Sequence, residues 1–264
     1  MNRIALILKS NKIEAKEAIK MAKKFLLTKN YKIYTKINKS PLPRLSWIMV
    51  FGGDGAVLNI ANMVAAHNIP LIGINFGHRG YLCEINPSEP DALLNGLKRL
   101  IKKQFSIRPC TRIQAKIINK NKIKKQADGL NEIVVGGNNR TAYLKIKVKL
   151  GKNTKAAHLV GDGVIFSTRV GSTAYNLYAG GPVLLNNNFS VTMINALIDS
   201  QYFLPNTQSF VTPIEASFEV ISERNGKFLP YVVVDGQIDY RLKNGDVVIV
   251  NRSKLITKLI ELKK

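Results

Sequence analysis

The chain has 264 residues, 45% hydrophobic and 22% charged, enough to bury one large core or two moderate ones. Forty Lys and Arg against 17 Asp and Glu give a net charge of +23, which raises nucleic-acid binding as the first question. The basic residues are mostly Lys spread along the chain, with short clusters at 98–103 and 120–125 but no arginine-rich block, RNP-like aromatic strand or zinc-knuckle spacing, so a solvated basic surface that favours polyanions such as nucleotides is the expectation.

In chain order, residues 4–8 read as a strand and 13–27 as an amphipathic helix, with Ala18, Met21, Ala22, Phe25 and Leu26 at helical spacing. Residues 33–37 form a weak second strand. Pro41 and Pro43 mark a loop, and the apolar run 47–51 suits a buried parallel strand. A helix is expected over 56–67, a strand over 70–74 and a helix over 90–103. This alternation implies a parallel α/β domain over residues 1–108. Beyond 107–109 strand-like runs dominate, at 113–119, 132–135, 143–150, 163–167, 210–211, 217–221, 231–234 and 246–250. Residues 109–250 therefore read as a mostly β second domain. The last stretch, 251–264, reads as a tail that packs back on the first domain. The apolar runs are strand length, far below a membrane span. The charged start 1–3, five apolar residues and then Lys9 are too short for a signal-peptide core, so the protein reads as cytoplasmic. Cys83 and Cys110 read as reduced, partly buried thiols, and His67, His78 and His158 show no metal-ligand spacing, so no protein metal site is expected.

The first chemical motif is Phe51-Gly52-Gly53-Asp54-Gly55, between an apolar strand and a helix. Glycines let the backbone turn sharply and approach a ligand closely. Free amides at the helix start point toward an anion. An acid in a loop that only bound phosphate would repel it. Asp54 makes sense if it accepts a hydrogen bond from an attacking hydroxyl or holds a divalent metal. The alternative is a simple type I′ or II turn. The spacing is neither a Walker A motif nor the G-x-G-x-x-G dinucleotide fingerprint.

The second motif runs from Gly161-Asp162-Gly163 through Gly171-Ser172-Thr173-Ala174-Tyr175 to Tyr178-Ala179-Gly180-Gly181-Pro182. Small and hydroxyl residues around an aromatic suit a nucleotide pocket, with Tyr175 packing on a base. A tight strand-to-helix crossing would need the same small residues.

Taken together, the blocks resemble bacterial NAD kinases of the ATP/polyphosphate-dependent type over nearly the whole chain. They are Gly52-Gly53-Asp54-Gly55; Gly73-Ile74-Asn75-Phe76-Gly77 with Gly80-Tyr81-Leu82; Leu130-Asn131-Glu132; the long 162–182 block; and Val234-Asp235-Gly236-Gln237. The first is shared with 6-phosphofructokinases and diacylglycerol-type lipid kinases, whereas the long block is specific. The resemblance implies a Rossmann-like N-terminal domain and a β-sandwich-like C-terminal domain. It implies phosphoryl transfer from ATP or polyphosphate to the 2′-hydroxyl of the adenosine ribose of NAD, with a divalent metal, Mg by preference. It implies a homo-oligomer, a dimer or tetramer. By matching position, Asp54 would take the ribose hydroxyl's proton, with Gly52 and Gly53 in the phosphate loop and Gly55 beside the nucleotide. Asn131 and Glu132 would hold the adenosine and Asp162 the nicotinamide half. Thr173, Ala174, Tyr175, Tyr178 and Tyr81 would line the NAD pocket, and Gln237 would add a contact.

Four departures from the family pattern cover five positions: Ala56 for Thr, Arg169-Val170 for Pro-Thr, Tyr178 for Ser, and Val160 for a frequent Arg. They bear on donor preference and affinity. They keep a catalytically weak NAD-binding or sensing homologue in view as an alternative, with a diacylglycerol-type lipid kinase as another. Membrane and specific nucleic-acid partners are not expected.

Overall fold

The computed structural model describes residues 2–37, 42–77, 80–87, 91–137, 144–150, 157–199, 208–223 and 230–263. The chain divides into two compact units, residues 1–110 with 256–264, and residues 111–255.

The first unit is α/β. In chain order it holds β1 (Arg3–Leu8), α1 (Ile13–Leu27), β2 (Lys32–Tyr34), β3 (Trp47–Gly52), α2 (Asp54–Val64), β4 (Leu71–Asn75), β5 (Cys83–Ile85) and α3 (Ala92–Ile101). The strands β2, β1, β3 and β4 pair in that order, all parallel, and β5 joins β4 in parallel. Every residue of β3 is buried, as expected for a strand covered on both faces. Ile4, Leu6, Met49, Phe51, Ile72 and Ile74 pack with Ala22 and Leu26 of α1 and with Leu93 and Leu97 of α3. Helix α2 begins one residue after β3 and ends earlier than its apolar pattern suggests. Residues Ala65–His67 tighten into a 3-10 turn, and Asn68 closes it in the left-handed region at φ 56°. The expected strand at 33–37 is shorter and shifted. Strand β5 has too short an apolar run to be seen in sequence. Pro41, and Pro90 at the expected start of α3, lie outside the described residues.

The second unit is mostly β. It contains most of β6 (Phe105–Asn119) and β18 (Val247–Leu262), inside which the unit boundaries fall. Between them come β7 (Lys122–Gly129), β8 (Glu132–Gly136), β9 (Leu144–Leu150), β10 (Ala157–Gly161), β11 (Gly163–Ser167), the short helix α4 (Tyr175–Tyr178), β12 (Phe189–Ile194), β13 (Leu197–Asp199), β14 (Ser209–Thr212), β15 (Phe218–Glu223), β16 (Tyr231–Val234) and β17 (Ile238–Arg241). One antiparallel sheet runs β14-β12-β11-β8-β16-β17. The other runs β13-β10-β9-β15-β18. Their inner faces meet in one core: Ile133, Val135, Phe166 and Val232 from the first sheet, Val148, Phe218, Val220 and Val248 from the second. The Phe166 and Phe218 rings sit 4.9 Å apart at their centroids. This is the two-layer sandwich that alternating strands allow. The expected strand start at Tyr143 lies outside the described residues. The basic cluster at 120–125 is mostly strand β7, with its lysines exposed. The C-terminal residues continue β18, and Leu259 pairs in parallel with Leu71 of the first unit's β4.

Candidate active site

Asp54 stands where a parallel sheet offers chemistry, at the carboxyl end of β3 and the first turn of α2. Gly53 is the extended N-cap at φ −109°, and no glycine of the loop needs a positive φ. The turn alternative is therefore wrong for this loop: types I′ and II require φ above zero. The glycines serve close approach instead. A Cβ on Gly52 would lie 2.6 Å from Cβ of Ala56, while one on Gly55 would meet nothing within 4 Å. A Cβ on Gly53 would come to 3.5 Å from Cα of Gly77, so the loops following β3 and β4 nearly touch.

The Asp54 carboxylate is braced by the loop before β5. Tyr81 N–H donates to Oδ2 at 2.8 Å and Leu82 N–H to Oδ1 at 3.0 Å. The Cys83 thiol points at the Gly52 carbonyl, 4.0 Å away, beside Asp54. Burial first, then the Asp54 carboxylate, push the thiol up to about 12, so it stays protonated. A carboxylate has about four lone-pair sites, so capacity remains for a ligand hydroxyl. A cavity of about 400 Å³ lined by Asn75, Gly80, Tyr81 and Cys83 opens beside this loop. Tyr81 itself is exposed. Among the described residues no three His, Cys, Asp or Glu side chains converge to hold a metal ion. A divalent ion suits this site only as part of a phosphate complex that brings its own oxygen ligands.

In the second unit the Asn131–Glu132 segment is held from behind. Asp235, buried and itself in the left-handed region at φ 51°, accepts the backbone N–H groups of Leu130 (2.7 Å), Asn131 (2.7 Å) and Glu132 (3.1 Å). The fully buried Arg112 donates from Nη2 to the Asp128 carbonyl at 2.6 Å. Its charge is opposed by those of Asp235 and Asp128, while burial pulls the guanidinium below its ordinary value. With its backbone so anchored, the segment presents two buried acceptors that have no hydrogen-bond partner among the described residues: Asn131 Oδ1 and Glu132 Oε2. Burial first, then the Asp235 charge, push the Glu132 carboxyl up to about 8. Buried polar atoms without partners are costly, so a pair of them in one segment marks a place built for a ligand.

The long block closes on the same segment. Thr168 N–H donates to the Asn131 carbonyl at 2.9 Å, and Thr168 Oγ1 donates to the Leu130 carbonyl at 2.6 Å. Gly171 lies flat against Asn131, where a Cβ would fall 2.1 Å from its carbonyl oxygen. A 3-10 turn at Gly171–Thr173 then leads into α4. Asn176, completely buried, spends its whole side chain on this bend. Nδ2 donates to the carbonyls of Ser172 (3.2 Å) and Pro182 (2.9 Å), and Oδ1 accepts from Ser190 (3.0 Å) and Thr192 (2.8 Å). Thr173 and Ala174 are half-buried, and Tyr175 and Tyr178 are exposed at 44% and 88%.

The structure thus gathers Asn131, Glu132 and the 171–175 bend. Gln237 follows Asp235 by two residues and its side chain is exposed. Asp162 lies apart. It precedes Gly163, which pairs with Gly136, whereas Ser167 pairs with Glu132 at the other end of the ladder, about 13 Å along the strand. Its carboxylate accepts from Asn195 Nδ2 at 2.9 Å. Sequence reading gave no site role to Arg112, to Asn176 within the long block or to Asp235 within its family block, and took Cys83 only as a reduced, partly buried thiol. The Asp-Gly pair at 235–236, typical of a left-handed turn, was the one available signal.

Two family models match the chain: the ATP-NAD kinase N-terminal domain over residues 37–105 and the ATP-NAD kinase C-terminal domain over residues 130–262. The chain belongs to the NAD kinase family. It is 30% identical to the NAD kinase of Acetivibrio thermocellus over 232 residues, covering 86% of this chain and 76% of that one. It is 28% identical to the NAD kinase of Aquifex aeolicus over 269 residues, covering 98% and 93%. The fold is like that of an Archaeoglobus fulgidus NAD kinase solved in complex with ATP, with a TM-score of 0.75, 23% identity and coverage of 99% and 94%. It is also like that of yeast NADH kinase complexed with NADH, with a TM-score of 0.84, 17% identity and coverage of 99% and 83%. The four family departures do not touch Asp54, Asn131, Glu132 or Asp162.

Proposed function

We propose that this NAD kinase family member transfers the terminal phosphoryl group of ATP, or of inorganic polyphosphate, to the 2′-hydroxyl of the adenosine ribose of NAD. The product is NADP. The observation that carries the reading is the Asp54 carboxylate, fixed by two backbone N–H donors at the start of a helix with acceptor capacity to spare.

The ribose oxygen attacks the terminal phosphorus, the bond to the donor's bridging oxygen breaks, and the hydroxyl proton passes to Asp54 and then to solvent. Such transfers need little covalent help. Holding nucleophile and phosphorus in line supplies most of the acceleration. The Tyr81 and Leu82 amides keep the Asp54 oxygens from rotating. A divalent ion, Mg by preference, would be held by the donor's own phosphates and would supply charge neutralisation there. Gly52 and Gly53 let phosphate approach the backbone, and Gly55 leaves open space beside it.

Asn131 Oδ1 accepts from a donor on the adenosine, and Glu132, protonated in part near neutrality, can donate or accept there. Tyr175 and Tyr178 offer exposed rings, and Thr173 and Ala174 a small-residue floor. Tyr81 and Gln237 add contacts, and Asp162 is assigned to the nicotinamide half. The protein works as a cytoplasmic homo-oligomer, a dimer or tetramer. Among the described residues no helix is long and apolar enough to cross a membrane. No observation favours the sensing homologue or the lipid kinase.

The test is purified protein with NAD, magnesium and either ATP or polyphosphate, read by an NADP-specific dehydrogenase. NADP formation supports the reading. NAD binding without NADP formation from either donor would return the chain to a sensing role.

A further inference from the structure

A cavity of about 570 Å³ in the second unit is lined by none of the residues assigned to this reaction. It lies between the β6–β7 hairpin, which contributes Asn119, Lys124 and Lys125, and the end of β17 with the turn after it, which contributes Tyr240, Arg241 and Lys243. It sits away from the Asn131–Glu132 segment. Lys125 is four residues up β7 from Gly129, and Arg241 pairs with Tyr231, which in turn faces Gly136 at the far end of β8.

The frame of the cavity is built and polar. Asn119 Nδ2 donates to Asp246 Oδ1 at 2.6 Å and to the Asn244 carbonyl at 3.2 Å, tying hairpin to turn. The other Asp246 oxygen accepts the Lys243 N–H at 2.7 Å. Asp246 is 9% exposed and bonded at both oxygens by neutral amides, so it is a strut of the wall more than a counter-ion. The four cations Lys124, Lys125, Arg241 and Lys243 line the cavity against this single carboxylate. Among the described residues none of them is in a salt bridge. Lys125 Nζ sits 5.8 Å from the centroid of the Tyr240 ring.

Like charges on a solvated face normally spread out. Here four of them line one cavity beside an aromatic ring, with a volume in the range of small-ligand sites. We propose that this cavity binds a small phosphate-rich anion, a run of phosphates either free or carried by a nucleotide. Arg241 supplies a planar fork for two phosphate oxygens, and the lysines supply point charges. A concave site of this size suits a short phosphate chain better than a nucleic-acid duplex, which tracks an extended basic stripe.

The test titrates inorganic tripolyphosphate and a non-hydrolysable ATP analogue calorimetrically into the full chain. It compares wild type with Lys125→Ala/Arg241→Ala and with Lys124→Ala/Lys243→Ala. A control, Lys16→Ala/Lys20→Ala on the exposed face of α1, removes the same charge elsewhere. An event that follows the donor KM belongs to the reaction site, and all variants keep it. The second event weakens at least about tenfold in each cavity variant and less than about twofold in the control, while the KM values for NAD and donor stay put. Loss for both ligands means that free phosphates suffice, and loss for the analogue alone means that a nucleotide is read; either supports the site. Equal weakening in the control, no second event, or loss of 20-base-pair duplex DNA binding with tripolyphosphate binding unchanged overturns it.

Discussion

Asp235 Oδ1 accepts the backbone N–H of Asn131 at 2.7 Å, across 104 positions of sequence. With Leu130 and Glu132 on the same carboxylate, this one side chain sets the backbone of the segment that carries both orphaned acceptors. Asp235→Ala strands these N–H groups in a buried setting. Each costs about 1–3 kcal/mol, so the variant is expected to lose at least about 3 kcal/mol in urea unfolding and to bind NAD at least about tenfold more weakly. Asp235→Asn keeps one acceptor oxygen and falls between it and wild type.

Glu132 gives a pH dependence of definite sign. Its carboxyl titrates at about 8 in the fold against an ordinary 4.5, so the folded state binds its proton more tightly than the unfolded chain. This group imposes no penalty below pH 4.5. The penalty grows as pH rises toward 8 and then levels off. Unfolding free energy measured at pH 5, 7 and 9 is expected to fall by a few kcal/mol more in wild type than in Glu132→Gln, whose slope over that window should be flatter.

Two glycines separate folding from ligand approach. A Cβ at Gly171 would meet the Asn131 backbone at 2.1–2.7 Å, which no side-chain rotation relieves. Gly171→Ala is expected to cost about 1–3 kcal/mol or more and to displace Asn131, raising the KM for NAD. A Cβ at Gly55 meets nothing within 4 Å of protein. Gly55→Ala should melt within a degree or two of wild type while raising the KM for NAD or donor. Thermal melts and steady-state kinetics on the two proteins check the contrast.

Tyr175 is exposed at 44% and carries little of the core. Tyr175→Ala is expected to leave stability within about 0.5 kcal/mol. If the ring packs on a base, NAD affinity falls about tenfold, since such stacking contributes about 1–3 kcal/mol. Calorimetric titration with NAD measures it.

What was legible followed from local pattern. The helix at 13–27 and the run at 47–51 declared themselves by period and by continuous apolar character, and the loop glycines by type. What was hidden depended on distant partners. Cys83–Ile85 is three residues and becomes a strand only beside β4. The lysines of 122–125 hide a strand because residues 122–126 are exposed on both faces, so no apolar alternation marks them. Asp235 and Asn176 look like ordinary turn residues until the fold brings three amides to one and two carbonyls and two hydroxyls to the other. The simple-turn alternative for the loop glycines stayed open because sequence cannot separate a need for positive φ from a need for space.

Asp54→Asn, assayed for NADP formation and for NAD binding on the same sample with a melt to verify the fold, bears most directly on the assigned chemistry. The expected result is a fall in kcat of at least about a hundredfold with NAD affinity within about threefold of wild type. Turnover within tenfold of wild type in a well-folded variant would contradict the role of Asp54.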